Sequence, residues 1–423
     1  MKLDLSSYLP STNTVVSGDA EPEAALLLEV DVARPLPCLL LTDFHSGRCY
    51  TQGLLLVRLY GRPLGLLQLY TTNFQVDPYE LSGIIWAHFG DRIADYLRQD
   101  DLPPVRSLEV FGLPYNRVPR YYVERAAIKR NAPLISVVVV ARERLDYLDK
   151  TLRMLQEVHY PRYEIIVVDN TESPASTARM VRERFADVVY VREVQSGVPY
   201  ARNLGLKQAR GEIVAFIDET AVVDADWLTE VACAFNSGPD VQCVTGLTLP
   251  SQIELTPRKM RQYVENTQRF DSRLYDLSMN RPLNPMHPFR SIGFNGGTNL
   301  AFRADFLRGI GGFKPMIGGR MQDVSDMMAC MQVIMRGHQL AYAPSALVFQ
   351  KTDSGTDSGG RRRWREERAA RVLAMSAAHS ARWMIQQAPQ MAGAILARFI
   401  RWVEVGLALR TVGQPTVLPG DPG

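Results

Sequence analysis

Cysteine is scarce in this chain of 423 residues, which has five cysteines at scattered positions and no CxxC spacing. An odd number of separated cysteines argues against a disulfide framework, and the missing CxxC spacing argues against a structural zinc site. The six histidines are also spread along the sequence without forming a cluster. We therefore expect reduced thiols, most of them in the core, and no metal centre built from cysteine or histidine.

The chain also lacks a long apolar run and a strong charge of one sign. Its most apolar C-terminal stretch, MAGAILARFIRWVEVGLAL, is interrupted by Arg398, Arg401 and Glu404, so it is unsuited to span a bilayer. The N-terminal segment MKLDLSSYLPSTN contains no apolar run of signal-peptide length. A formal net charge of +3 gives no support for a general nucleic-acid binder. These absences favour a cytoplasmic globular protein.

Changes in composition divide the sequence into four regions. Residues 1–24 are rich in Ser, Thr, Pro and acids, and we expect a mobile tail there. Residues 25–130 predict a small α+β domain with a connection at its end. Residues 131–355 alternate strand and helix patterns, which predicts an α/β domain with a predominantly parallel sheet. Residues 356–423 are Arg-rich and are expected to be helical.

The small N-terminal domain shows turn and helix signals. The stretch TQGLLLVRLYGRPLGLLQLY predicts two apolar strands joined at Gly61, Arg62 and Pro63. Asp77 and Pro78 then resemble an N-cap and a first-turn proline before a run of apolar residues at helical spacing. We predict a hairpin followed by an amphipathic helix, and we find no chemistry in this domain.

Polar residues follow buried strands in the α/β region. The stretch ARGEIVAFIDETAVVDADWL runs from an apolar strand into Asp218 and Glu219, and the strand EIIVVD ends on Asp169. Open α/β sheets bind ligands just outside the carboxyl ends of their strands. Carboxylates at that edge can hold a ribose or a cation, and the nearby Arg202 suits phosphate or base contact. The pattern predicts a nucleotide site.

From about Leu134 to Gln350 the sequence resembles the family 2 glycosyltransferases, on the strength of VAFIDET, PYARNLG and FNGGTNLAFR. The resemblance implies a GT-A-like fold that transfers a sugar, with inversion, from a nucleoside diphosphate sugar to an acceptor hydroxyl. Asp323 corresponds to the catalytic base of that family. By the same resemblance, the nucleotide-sugar site would contain Arg142, Asp169, Arg202, Asp218 and Glu219, and the acceptor side would contain Gly296, Gly297 and Asn299.

Each of these residue types also has an ordinary structural use. Asp169 and Asp323 could cap a turn or a helix, Arg202 could form a salt bridge, and the paired glycines could form a tight turn. The family match favours the functional interpretation for Asp169, Arg202 and Asp323. Asp326 is a weaker substitute for Asp323 as the base.

Three positions depart from the family pattern. Thr220 and Gln322 stand where the family has acids, and Gln350 stands where it often has a histidine. The sequence predicts no complete protein ligand set for a metal ion, although Glu219 and the substrate diphosphate could hold Mg²⁺ or Mn²⁺. The alternatives are a transferase that needs no metal and a pseudo-glycosyltransferase that serves as a binding or regulatory subunit.

The C-terminal region carries a local excess of positive charge between Arg361 and Arg371, followed by apolar residues. This combination could contact anionic lipid at the inner face of a membrane or an acidic protein partner. A solvated helix face and packing on the catalytic domain explain it equally well.

Overall fold

The structure is a computed structural model. It describes residues 25–43, 47–113, 117–142, 144–172, 174–250, 270–276, 298–314 and 322–350, without the side chains of residues 322–324. The predictions for residues 1–24, for residues 356–423, for Gly296 and Gly297, and for the side chain of Asp323 lie outside the described residues.

The N-terminal part contains five strands and a long helix. They are β1 (Leu26–Asp31), β2 (Leu39–Leu40), β3 (Gln52–Leu59), β4 (Arg62–Tyr70), β5 (Gln75–Val76) and α1 (Pro78–Gln99). Strands β1, β3 and β4 form one sheet in that order, and β2 pairs with β5.

The hairpin between β3 and β4 turns one residue earlier than the sequence suggests. Tyr60 and Gly61 form the turn, with φ of 56° and 83°, and Arg62 already pairs with Leu59 in the ladder. A two-residue turn with positive φ at both positions matches the right-handed twist of the strands. That preference moves Arg62 and Pro63 into β4.

Helix α1 begins as predicted. The side chain of Asp77 accepts a hydrogen bond from the Tyr79 amide at 2.8 Å, and Pro78 is the first helical residue. The helix buries Leu81, Ile85, Ile93 and Leu97 against one face of the N-terminal sheet.

The predicted connection after this domain contains a helix that the sequence pattern did not indicate. Helix α2 (Arg120–Arg130) buries only Tyr121 among its own residues, so it lacks the apolar stripe by which amphipathic helices are found. Polar contacts hold it: Glu230 accepts from the Tyr121 hydroxyl at 2.8 Å and pairs with Arg125 at 2.5 Å.

The next segment alternates strands and helices as expected. Its elements are β6 (Ile135–Ala141), α3 (Leu145–Gln156), β7 (Tyr163–Asp169), α4 (Pro174–Arg184), β8 (Val189–Arg192), α5 (Val198–Gln208) and β9 (Ile213–Asp218). The four strands are parallel in the order β9, β6, β7, β8. Strand β6 lies between the strands that end on Asp218 and Asp169. Both carboxylates therefore lie at the same end of the sheet, where the parallel strands have their carboxyl ends, and we call this end the sheet edge.

The remaining elements extend this sheet beyond β9. They are β10 (Ala221–Val223), α6 (Trp227–Phe235), β11 (Val241–Pro250), β12 (Arg273–Tyr275), β13 (Leu300–Arg303), α7 (Ala304–Gly309), α8 (Gln322–Met335) and β14 (Gln339–Gln350). The order from β9 outward is β13, β11, β14, β10, and β12 also pairs with β14. Strand β13 runs antiparallel to both of its neighbours. The α/β sheet is thus parallel in one half and mixed in the other, a division that the sequence pattern did not indicate.

Helices cover both faces of the sheet. Helices α3, α4 and α6 pack on the face that carries Val137 and Val139. Helix α5 packs on the opposite face, where Gly205 lies so close to Val138 that a Cβ atom would overlap its methyl groups. This close approach explains the glycine in the PYARNLG motif.

Candidate active site

Asp218 ends β9 and is surrounded by hydrogen-bond donors. Its Oδ2 accepts from the Thr298 hydroxyl at 2.9 Å and from the Gln350 amide nitrogen at 3.2 Å. Its Oδ1 lies 3.8 Å from Nη2 of Arg202. The side chain is 31% exposed. The carboxylate is therefore fixed by its protein partners and still accessible to a ligand at the sheet edge.

Arg202 on α5 connects two carboxylates. Its guanidinium pairs with Asp326 of α8 on one side and approaches Asp218 on the other, and the side chain is 2% exposed. Burial alone would lower the pKa of Arg202, but the charges of Asp326 and Asp218 outweigh it and raise the pKa. Arg202 is therefore a permanent, enclosed cation that ties α8 to the end of β9.

Asp326 is enclosed as completely as its partner. It is 1% exposed, and its Oδ1 also accepts from the Ser325 hydroxyl at 3.3 Å. Burial raises the pKa of Asp326, and Arg202 opposes that rise. Asp323 lies one turn earlier, in the first turn of α8, so the Arg202–Asp326 pair fixes the helix on which the predicted base lies.

Asp169 ends β7 at the same edge, and its carboxylate is fully buried. It accepts hydrogen bonds from the Thr171 amide at 2.9 Å and the Tyr190 hydroxyl at 2.6 Å, and it pairs with Arg192 at 3.2 Å. Burial and the hydrogen bond to Asp169 raise the pKa of Tyr190, which keeps its hydroxyl protonated as the donor. Arg192 is 30% exposed and lies closer to solvent than Asp169 does.

Arg192, like Thr298, is a site residue that the sequence analysis missed. It ends β8, and its register partner in β7 is Asp169. The sequence VVYVRE could have indicated it, because an apolar run there leads into a charged residue, as at the ends of β7 and β9. A guanidinium at that edge can contact a base or a phosphate.

Glu219 stabilises the turn after β9. It is 7% exposed, and its Oε2 accepts from the backbone amide of Arg142 at 2.8 Å. Its backbone carbonyl accepts from the Thr151 hydroxyl at 2.8 Å. These contacts join the turn after β9 to the end of β6 and to α3. The Arg142 side chain is exposed at the same edge.

Asn299 uses its side chain inside the core. Its Nδ2 donates to the carbonyls of Leu247 at 3.0 Å and Ala346 at 2.7 Å, and its Oδ1 accepts from Nε1 of Trp227 at 3.0 Å. These bonds connect β11, β14 and α6, which favours a structural role for Asn299. Its neighbour Thr298 contacts Asp218 instead.

The residues near Asp218 are a poor ligand set for a divalent cation. Gln350 donates its amide N–H groups toward Asp218, Thr220 offers a neutral hydroxyl, and Glu219 accepts from Arg142. Mg²⁺ and Mn²⁺ prefer anionic oxygens that are free to coordinate. Within the described ranges, no group of three or more His, Cys, Asp or Glu side chains is arranged to hold a metal ion.

The site thus gathers Asp218, Arg202, Thr298 and Gln350, with Asp169 and Arg192 on the far side of β6.

For the segments that the structure describes, none of the helices has the length and apolarity to cross a membrane.

Comparison with known proteins identifies the α/β region. Residues 136–311 match the family model described as Glycosyl transferase family 2. The glucosyl-dolichyl phosphate glucuronosyltransferase of Haloferax volcanii is 25% identical over 228 residues, which cover 51% of this chain and 69% of that protein. The putative teichuronic acid biosynthesis glycosyltransferase TuaG of Bacillus subtilis is 29% identical over 115 residues, covering 25% of this chain and 45% of that protein.

One similar solved structure is a mannosyltransferase from Pyrobaculum calidifontis in complex with GDP-Man and Mn²⁺. It has a TM-score of 0.40 and 20% identity, and the match covers 79% of this chain and 86% of that one. The family match runs from β6 to α7 and includes Asp169, Arg202 and Asp218, so residues 136–311 of this chain form a family 2 glycosyltransferase region.

Proposed function

We propose that this protein transfers a sugar from a nucleoside diphosphate sugar to an acceptor hydroxyl. The observation that carries the proposal is the position of Asp218, partly exposed at the carboxyl edge of the sheet and held there by Arg202, Thr298 and Gln350. Ligands of open α/β sheets bind at this edge. Family membership supports the same reaction class.

The donor site would extend across four neighbouring strands, β9, β6, β7 and β8. Asp218 would accept hydrogen bonds from ribose hydroxyls, and the exposed Arg142 and the partly exposed Arg192 would supply positive charge for the diphosphate or the base. Asp169 contributes by positioning Arg192, with which it pairs at 3.2 Å. In this proposal Asp218, Arg142 and Arg192 contact the donor, and Asp169 positions Arg192.

The chemical step proposed here is an inverting displacement. The acceptor oxygen attacks the anomeric carbon, a carboxylate removes its proton, and the nucleoside diphosphate leaves. Asp323 is the proposed base, on the resemblance to the family. Arg142 and Arg192, at the carboxyl ends of the strands, would stabilise charge on the departing diphosphate.

A binding screen of nucleoside diphosphate sugars by calorimetry, followed by transfer assays on the donors that bind, tests this proposal. We expect at least one donor to bind and to be consumed. Absence of binding by every donor would contradict it. Binding without turnover on any acceptor would support the pseudo-glycosyltransferase alternative, to which the neutral Thr220 and Gln350 draw attention.

We expect donor binding and turnover to depend little on added metal. The Asp218 carboxylate is engaged by hydrogen-bond donors, and Thr220 and Gln350 beside it are neutral. The site would therefore bind Mg²⁺ or Mn²⁺ weakly, because hard cations require anionic ligands. Treatment with EDTA should change turnover by less than about twofold, which is within the variation of the assay, because turnover would not depend on a cation that EDTA removes. Thr220→Asp should create a response to Mn²⁺.

Loss of activity with EDTA and recovery with Mn²⁺ in the unmodified protein would contradict metal independence. It would then support coordination by Glu219 and the substrate diphosphate, for which the Glu219 side chain would have to leave the Arg142 amide. Attachment to a membrane or a protein partner through residues 356–423 also remains a proposal.

A further inference from the structure

The N-terminal domain contacts the strands that form the site, although it lies before the family match. We propose that this domain holds β10 and β14, the strands that carry the chain away from Asp218 and bring Gln350 to it, in position for donor binding. Arg58 is the positioning residue. The proposal rests on the function proposed above, since it concerns the same donor site.

The two domains share an apolar core. One face of the N-terminal sheet packs against α1, and the other packs against the glycosyltransferase domain. The contributing residues of the N-terminal domain are Ala25, Leu54, Leu56 and Leu66, and those of the glycosyltransferase domain are Leu247, Leu249, Phe270 and Leu347. Leu347 belongs to β14, the strand that ends on Gln350. Burial of apolar side chains from both domains fixes β14 relative to the N-terminal sheet.

Arg58 on β3 forms an ion pair across this interface. It is 4% exposed, and its guanidinium pairs with Glu29 at 2.8 Å and with Asp224 at 2.8 Å. It also donates to the carbonyl of Gly61 at 3.0 Å. Burial alone would lower the pKa of Arg58, but Asp224 and Glu29 outweigh it and raise the pKa. Arg58 thus forms an ion pair between β3 of the N-terminal sheet and the residue that follows β10.

Asp224 directly follows β10, the short strand that connects the acidic motif to the rest of the sheet. Ala221 pairs with Gln350 in the β10–β14 ladder, and the Asp224 amide donates to the carbonyl of Leu347 at 3.1 Å. A three-residue strand makes few ladder bonds, so contacts at its ends determine how firmly it is held. Arg58 holds the end of β10 that is distant from Asp218.

A second contact braces β12, which pairs with the opposite end of β14. Arg92 on α1 donates to the carbonyl of Phe270 at 2.6 Å and to Asp271 at 2.7 Å. Thus both short strands beside β14 are held from the N-terminal domain, one through Arg58 and one through Arg92.

The test uses the full chain with Arg58→Met, which keeps an unbranched apolar side chain like the stem of arginine and removes the charged guanidinium. Amide hydrogen exchange of the peptide that contains residues 221–223 should accelerate about tenfold, because its opening free energy falls when an end contact is lost. The Michaelis constant for the donor should rise about tenfold, with a smaller change in kcat. Arg58→Lys should restore most of the donor affinity.

Two further variants separate positioning from general stability. Asp224→Asn removes the same ion pair from the other domain and should reproduce the exchange change, even if Arg58→Met does not fold. Arg98→Met removes an exposed ion pair on α1 and should change neither exchange nor donor affinity. Unchanged exchange and donor affinity in both Arg58→Met and Asp224→Asn would overturn the proposal. Because hydrogen exchange needs no substrate, an inactive unmodified protein would contradict the proposed function without deciding the bracing role.

Discussion

Replacing Asp218 by alanine is expected to weaken nucleotide binding at least tenfold and to lower kcat/KM for transfer about a hundredfold. The substitution removes a partly exposed carboxylate that accepts from Thr298 and Gln350 and balances the buried charge of Arg202. Loss of a hydrogen-bonding partner costs about 1 to 3 kcal/mol, and each 1.4 kcal/mol is about tenfold. Calorimetry with the donor that binds, and initial rates of transfer, measure the two effects.

Asp149→Asn is a matched control for this variant. Asp149 is likewise a partly exposed carboxylate beside arginine, with Arg153 at 2.8 Å and Arg184 at 3.0 Å, but it lies on α3. If Asp218→Ala and Asp149→Asn bind the nucleotide equally well, Asp218 is not a donor contact. Thermal midpoints of both variants show whether any loss of binding follows from unfolding.

The position of Asp218 could be predicted because strand pattern and sheet geometry agree there. A buried apolar run followed by an acid places that acid at the carboxyl end of a strand, and the parallel ladder places Asp169 at the same edge. Both inferences use only the alternation of strands and helices. They do not depend on which side chains pair.

The partners of these residues could not be predicted, because they come from distant parts of the chain. Arg202 meets Asp326 across 124 residues, and Gln350 reaches Asp218 across 132 residues. No local pattern indicates such pairs. For the same reason, the enclosure of Asp169 by Tyr190 and Arg192 was not visible in its own strand.

Helix α2 was missed for a related reason. Sequence periodicity finds helices that bury an apolar stripe, whereas α2 is held by Tyr121 and Arg125 on the single carboxylate of Glu230. The antiparallel insertion of β13 likewise depends on pairing across the sheet, which strand propensity does not encode.

Asp323→Asn is expected to lower turnover by about a hundredfold or more while donor binding persists, the size typical of a lost general base. The amide keeps the shape of the carboxylate and cannot accept the acceptor proton. Asp323 lies in the first turn of α8, whose position is fixed through the Arg202–Asp326 pair. Single-turnover rates with saturating donor, together with donor affinity by calorimetry, separate chemistry from binding.

A loss of activity could also arise from the helix itself, since an acid in a first turn stabilises a helix by about 0.3 to 1 kcal/mol. Asp305→Asn provides the comparison, because Asp305 is an exposed acid in the first turn of α7. If both variants lose similar thermal stability and only Asp323→Asn loses turnover, the effect is chemical. Equal turnover in Asp323→Asn and the unmodified protein would mean that Asp323 serves only the helix. The base would then have to be sought elsewhere, since Asp326 is enclosed by Arg202 and cannot reach an acceptor without breaking that pair.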